Sequence, residues 1–170
     1  MLDRLSNVYE RYLLKVFDVV GDLLLLVLRL YFGYQFFISG RGKLQSIDRV
    51  IAFFTSLGIP APSLNAYFVA TLECVGGVLL IVGLGSRLIS SALAINMSVA
   101  YLTADRESLT GMFQNPDAFL KADPFLFLLT SLIVVAFGPG RISLDFLIRR
   151  WRHPPQSSAD AVVLDHPNAA

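Results

Sequence analysis

The stretch from Val19 to Ser39, VVGDLLLLVLRLYFGYQFFIS, decides the fold of this chain. It is long enough to cross a bilayer as a helix, since a span needs about 20 mostly apolar residues. One arginine, Arg29, lies at its centre. A cation at the bilayer midplane costs about 2.5–3.5 kcal/mol on insertion scales, so we expect a residue elsewhere in the chain to pair with Arg29.

The composition indicates a membrane protein. Of the 170 residues, 55% are hydrophobic and 16% are charged, whereas soluble domains contain about 25% charged residues. The apolar residues are concentrated in blocks, and the length suits one helical domain. A net charge of only +1 argues against nucleic acid as a partner and leaves the lipid bilayer as the expected one.

Four apolar blocks predict an all-α fold, a polytopic membrane protein with four transmembrane helices in an antiparallel bundle. The predicted spans are 19–39, 64–84, 88–103 and 124–138. The glycines and basic residues at 40–43 indicate the end of the first helix, and 104–123 is a polar loop. Together, residues 19–152 are expected to form a single transmembrane domain.

Short amphipathic segments flank these spans. Residues 1–18 alternate apolar and charged side chains at helical spacing, which predicts a helix on the membrane surface or against a partner protein. Residues 44–57 predict a second short helix, either re-entrant or interfacial, ended by Gly58. A third is predicted after Arg141, where arginines flank Trp151, and residues 153–170 are expected to be a disordered tail.

The distribution of Lys and Arg predicts the orientation, because cytoplasmic loops carry more of them. Both termini are predicted to be cytoplasmic in a bacterial inner membrane. The cytoplasmic side then holds Arg4, Arg11, Lys15, Arg87, Arg141, Arg149, Arg150 and Arg152, and the other side holds Arg41, Lys43, Arg49, Arg106 and Lys121.

A polar group lies near the centre of each predicted span. These groups are Arg29, Glu73, Asn96, and the adjacent pair Thr130 and Ser131. If the centres lie at equal depth, Arg29 and Glu73 neutralise each other through charge-assisted hydrogen bonds. This polar layer either fixes which helices are neighbours, as buried polar groups can, or binds a ligand such as a quinone headgroup, a small oxyanion or a proton.

Aromatic residues cluster near Arg29. Tyr31, Tyr34 and Phe36 are candidates for the lining of a quinone pocket, although aromatic residues at helical spacing also serve packing or lipid contact. The chain has one cysteine, Cys74, and both histidines lie in the C-terminal tail. We therefore expect no metal site and no intrinsic cofactor, with quinone as the cofactor that the polar layer would accommodate.

Several segments in order resemble the DoxX family of bacterial and archaeal membrane proteins. They are LRLYFGYQFFISGRGKL, FFTSLGIPAP, LECVGGVLLIVGLGSRL, ALAINM and AFGPGRISLD, and the resemblance covers about residues 24–147. It implies a four-helix membrane protein. The residues that match positions typical of the family are Arg29, Glu73, Gly76, Gly77, Asn96, Gly138 and Arg141, and the resemblance assigns them no catalytic role.

The resemblance also implies a function. Proteins of the DoxX and DoxD type are linked to thiosulfate:quinone oxidoreductase as its membrane subunit, and to membrane complexes that act on sulfur compounds or oxidative stress. The first hypothesis is therefore a membrane subunit of a redox complex that passes electrons to quinone, at most one part of an enzyme. The alternatives are a non-enzymatic scaffold or assembly factor, and a small-solute transporter. Protein partners are expected, and homo-oligomerisation is open.

Overall fold

The computed structural model describes residues 2–152, with side chains from residue 13 onward, and every regular element in that part of the chain is a helix. The elements are α1 (Leu2–Gln45), α2 (Ile47–Ser56), α3 (Pro62–Val82), α4 (Ser86–Thr103), α5 (Arg106–Thr110), α6 (Pro116–Lys121), α7 (Pro124–Phe137) and α8 (Leu144–Arg152). The all-α prediction is confirmed. The predicted tail, 153–170, lies outside the described residues.

The first helix is longer than predicted. Residues 1–18 and 19–39 were expected to form separate helices with a stop at Gly40, but α1 runs without a break from Leu2 to Gln45. Glycine destabilises a helix interior by about 1 kcal/mol, and tertiary packing offsets that cost here. Gly40 is fully covered by α3, which it contacts through the backbone of Ala70 and Cys74.

Small residues bring α1 and α3 together. On α3, Ala66, Ala70, Glu73, Gly76 and Gly77 are buried on one face. On α1, Gly33 lies against Gly77, where a built Cβ would stand 2.9 Å from the Gly77 carbonyl oxygen. Only glycine leaves room for such an approach, so these two helices are fixed as close neighbours.

The remaining core joins α4 and α7 to this pair. The buried apolar cluster consists of Phe36, Leu80, Leu93, Met97 and Val134, with one or more members from each of α1, α3, α4 and α7. The helix α2 and the segment 104–123 lie beyond the α3 N-terminus and the α4 C-terminus. That segment was predicted to be a loop, and it contains the short helices α5 and α6.

Hydropathy distinguishes one of these helices. Among the helices that the structure describes, Pro62–Val82 has both the length and the mean hydropathy, 1.8, that a membrane span needs. The helix Pro124–Phe137 is apolar but shorter. The ends of α3, α4 and α7 lie within two residues of the predicted segments, but the four-span arrangement itself stays a prediction.

Candidate functional site

The structure places Arg29 and Glu73 in two separate polar clusters. The predicted ion pair between them is wrong. Glu73 pairs instead with Lys43, which follows Arg29 by 14 positions in the continuous helix α1. This separation is about 21 Å along the helix axis at 1.5 Å per residue. The prediction failed because it assumed that the centre of the apolar stretch 19–39 lies level with the centre of α3.

The first cluster, here called the loop clamp, holds the segment 138–145 that follows α7. Arg29 is 1% exposed, and its guanidinium donates to the carbonyl oxygens of Pro139 and, at 2.8 Å, of Ile142. Asp22 accepts from the backbone N–H of Arg141 at 2.9 Å. Asp18 and Asp22 also lie within 3.6 Å of the Arg141 guanidinium. The N-terminal half of α1 is thereby joined to the loop after α7.

The loop clamp extends to the turn between α3 and α4. Asp145 accepts hydrogen bonds from the backbone N–H groups of Gly85 and Ser86, at 2.8 and 2.9 Å, and so caps the N-terminus of α4. Gly83 has a φ of 76°, and a Cβ on it would stand 2.9 Å from an Arg29 nitrogen. Glycine is therefore required at position 83 on two counts, its backbone conformation and the close guanidinium.

The second cluster, here called the cavity cluster, consists of Ser39, Lys43, Glu73 and Asn96. Lys43 donates from Nζ to both carboxylate oxygens of Glu73. Ser39 donates to Oε2 at 2.9 Å, and the Asn96 amide donates to Oε1 at 3.1 Å. Glu73 is 1% exposed, so these three donors supply the partners that a buried carboxylate needs.

The cavity cluster forms one wall of a cavity of about 830 Å³. The wall opposite comes largely from α2 and the residues after it, and further sides come from α4 and the start of α7. Most of the lining is apolar or aromatic, including Phe36, Phe53, Phe54, Met97 and Phe127. A cavity with apolar walls and a few convergent polar groups is the usual form of a small-molecule site.

The other predicted site residues have different positions. Thr130 and Ser131 are buried in α7, but Ser131 donates to the carbonyl of Phe127 in its own helix at 2.8 Å, not to the cavity cluster. Tyr31 and Tyr34 are 58% and 57% exposed and do not line the cavity. Phe36 is fully buried and does line it.

Two members of the cavity cluster, Ser39 and Lys43, were missed as site residues because 40–43 was interpreted as a helix end. A signal for Lys43 was present. Within residues 13–45 of α1, whose side chains the structure describes, the buried positions are Arg29, Gly33, Phe36 and Gly40, at steps of four, three and four residues. A further step of three leads to Lys43, so continuing the period through the two glycines places its side chain on the face toward α3.

The protein is thus a helical bundle with two buried polar clusters and a largely apolar cavity. The chain belongs to the DoxX family, whose family model matches residues 24–106. The protein named "Putative oxidoreductase CatD" of Bacillus subtilis strain 168 is 34% identical over 120 residues, which cover 71% of this chain and 83% of that protein.

Two further relatives extend the comparison. An uncharacterized protein of Haemophilus influenzae is 30% identical over 132 residues, covering 74% of this chain and 83% of the relative. The inner membrane protein YphA of Escherichia coli K12 is 25% identical over 130 residues, covering 76% and 93%. No solved structure matches the chain. Family and relatives together give this protein a membrane location.

Proposed function

We propose that this protein binds a quinone in the cavity between α1, α2, α3, α4 and α7, and that it is the membrane subunit of a redox complex. The observation that carries the proposal is the cavity cluster, a concentrated polar patch in a cavity whose other walls are mainly apolar. A quinone has the same division, with two carbonyl oxygens on a ring and an apolar tail.

The polar wall offers donors to a quinone carbonyl. Lys43 is 30% exposed, and its ammonium has three N–H groups, so one remains beyond the two that Glu73 accepts. Asn96 has a second amide N–H next to it. Glu73 holds the Lys43 ammonium at the cavity wall. Arg29 has no part in this site, because its guanidinium is bound to the carbonyls of the loop clamp.

The size of the cavity is compatible with this ligand. Ligand sites are commonly 300–1,000 Å³, roughly, and the volume here is about 830 Å³. Phe36 and Phe127 stack edge to face at 4.6 Å between ring centroids, and with Phe53 and Phe54 they supply aromatic surface against which a quinone ring packs. The isoprenoid tail would leave through the apolar lining toward the lipid.

The topology proposed for this function has four spans, namely part of α1 with α3, α4 and α7, and both termini on the cytoplasmic side. The distribution of charge in the structure supports it. Among the described side chains, the end of the bundle that carries the loop clamp holds six Lys and Arg residues, Lys15, Arg87, Arg141, Arg149, Arg150 and Arg152, and the other end holds five, Arg41, Lys43, Arg49, Arg106 and Lys121. A basic cytoplasmic end is the usual arrangement.

The redox role requires an electron donor, which we assign to a partner protein of the complex. Support comes from the relative in Bacillus subtilis whose name includes oxidoreductase. Among the described residues, no cluster of three or more His, Cys, Asp or Glu side chains could hold a metal ion. The proposed division is a quinone site in this chain and an electron-carrying centre in the partner.

The test is co-purification of quinone from native membranes in mild detergent, followed by lipid extraction. We expect quinone in excess over its share of the bulk lipid for the wild type and for Arg41→Met, which removes an exposed cation two residues away. Lys43→Met should lose it at equal yield and equal monodispersity. Equal quinone content in Lys43→Met, or no enrichment in the wild type, would refute the quinone site.

A second candidate function, the non-enzymatic scaffold, is favoured by the N-terminal half of α1. Leu14, Phe17, Val20 and Leu24 remain exposed there, away from the other helices. An apolar surface of this kind contacts either lipid or a partner helix. If the part of this surface within residues 1–18 is the dock, deleting these residues should abolish co-purification of partner proteins while quinone stays bound, and retained partners would exclude residues 1–18 as the dock.

A further inference from the structure

The charged side chains that line the cavity are unequal in sign. They are Lys43, Glu73, Asp105 and Asp123, one cation and three carboxylates. Glu73 is buried inside, and Asp123 is exposed at the start of α7, so negative charge is present both within the cavity and at its edge. Since Lys43 pairs with Glu73, an anion that entered would meet the unfavourable potential of Asp105 and Asp123.

Lys43, the cation among these four side chains, is already paired with Glu73. Lys43 donates to both oxygens of Glu73, which is 1% exposed and therefore cannot exchange this partner for water. An oxyanion that took Lys43 would leave a buried carboxylate with only Ser39 and Asn96 as donors. It would also lie next to that carboxylate, and like charges at such distances disfavour one another strongly in a poorly solvated site.

A second cation, Arg106, is close to the edge of the cavity in sequence but does not line the cavity. Arg106 follows Asp105 at the start of α5, but it lines the adjoining groove formed by Thr103 to Thr110, not the cavity. Beside Glu73, the donors that remain for a ligand are the third Lys43 N–H and the second amide N–H of Asn96, and Asn65 offers a further amide in the cavity wall.

We infer that the cavity selects an uncharged amphiphile whose head accepts hydrogen bonds, and that it excludes oxyanions. This rests on the cavity being the site of the proposed function, and it narrows the ligand class.

A matched pair of probes tests the inference on the full chain in lipid nanodiscs. Radiolabelled 2-dodecanone and dodecanoate have equal chains and differ in head charge. At pH 9, where dodecanoate is ionised at a membrane surface, we expect the ketone to bind about tenfold more tightly, and millimolar thiosulfate to displace neither. Non-specific partition is measured with Ala100→Phe, in which a larger side chain fills part of the cavity wall.

Charge variants supply the second readout. Asp105→Asn combined with Asp123→Asn should raise the affinity for dodecanoate and leave that for 2-dodecanone unchanged. Asp117→Asn, an exposed acid that does not line the cavity, should change neither. Dodecanoate or thiosulfate binding as tightly as the ketone in the wild type, or charge variants without effect, would overturn the inference.

The outcomes separate the inference from the proposed function. If 2-dodecanone and decylubiquinone bind but the quinone is never reduced in the presence of the partner proteins, the redox role fails and the ligand class stands. If decylubiquinone and thiosulfate compete for the cavity, the ligand class fails and a redox role stands. If no probe binds above the Ala100→Phe background, both fail.

Discussion

Lys43 and Glu73 form a buried ion pair between α1 and α3, in which Nζ of Lys43 contacts both carboxylate oxygens of Glu73. The pair forms part of the polar wall of the cavity, whereas Arg29, on the same face of α1, belongs to the loop clamp. The two cations of α1 thus have distinct roles: Lys43 is partly accessible and serves the site, and Arg29 is fully enclosed and holds a loop.

The first prediction concerns this pair. Lys43→Met should lower the free energy of unfolding by about 3 kcal/mol, since removing one partner leaves a buried carboxylate without its counter-charge. Thermal or denaturant unfolding in detergent, followed by far-ultraviolet circular dichroism of the helices, measures this change. Arg41→Met is the matched control and should shift the unfolding free energy by no more than about 0.5 kcal/mol.

A double-mutant cycle separates the two clusters. Combining Lys43→Met with Glu73→Leu should restore part of the lost stability, which gives a coupling free energy of about 1–3 kcal/mol. Combining Arg29→Met with Glu73→Leu should be additive within about 0.5 kcal/mol, because the two side chains do not touch. Strong coupling between Arg29 and Glu73 would contradict the observed arrangement.

The sequence was sufficient for some of these features and insufficient for others. The small-residue face of α3 and the positions of α3, α4 and α7 follow from local periodicity, and the structure confirms them. Lys43 reaches Glu73 only because α1 continues past Gly40 to Gln45. Gly40 and Gly42 locally favour a helix end, and the packing of α1 against α3 overrides that preference. The carbonyls that bind Arg29 belong to a loop more than 100 residues away. Because every residue carries a backbone carbonyl, the sequence does not indicate which of them will accept these hydrogen bonds.

The second prediction uses those two glycines. A Cβ at Gly40 would stand 2.6 Å from the Ala70 carbonyl oxygen, while nothing lies within 4 Å of one at Gly42. Gly40→Ala should therefore force α1 away from α3 and lower the unfolding free energy by about 2 kcal/mol or more. Gly42→Ala should raise it by up to about 1 kcal/mol through helix propensity. Equal effects at the two positions would mean that α1 does not pack closely on α3 at Gly40.

The third prediction concerns the loop clamp. Arg29→Met removes the donors to Pro139 and Ile142, and each unsatisfied buried carbonyl costs about 1–3 kcal/mol. Hydrogen exchange measured by mass spectrometry should therefore speed up in residues 140–146, with unchanged exchange around Asn96 and unchanged quinone content. Loss of quinone from Arg29→Met, with normal exchange in the loop, would contradict this role and indicate that Arg29 contributes to the ligand site.

The fourth prediction concerns Asp145, which caps α4 from a distant part of the chain. Asp145→Ala removes both acceptors of the Gly85 and Ser86 N–H groups. Loss of a cap costs about 1–2 kcal/mol, so the midpoint of thermal unfolding should fall. Asp117→Ala, which breaks an exposed pair with Lys121, is the control and should have almost no effect. Equal midpoints for the two variants would show that the cap does not stabilise the fold.

Photolabelling with an azidoquinone in native membranes, followed by peptide mapping, tests the quinone site most directly. We predict labels in the segments that line the cavity, 36–43, 50–60 and 96–105, and their loss in Lys43→Met but not in Arg41→Met. Labels confined to the lipid-facing residues of α1 or to the loop around Ile142, equally strong in Lys43→Met, would contradict the quinone site.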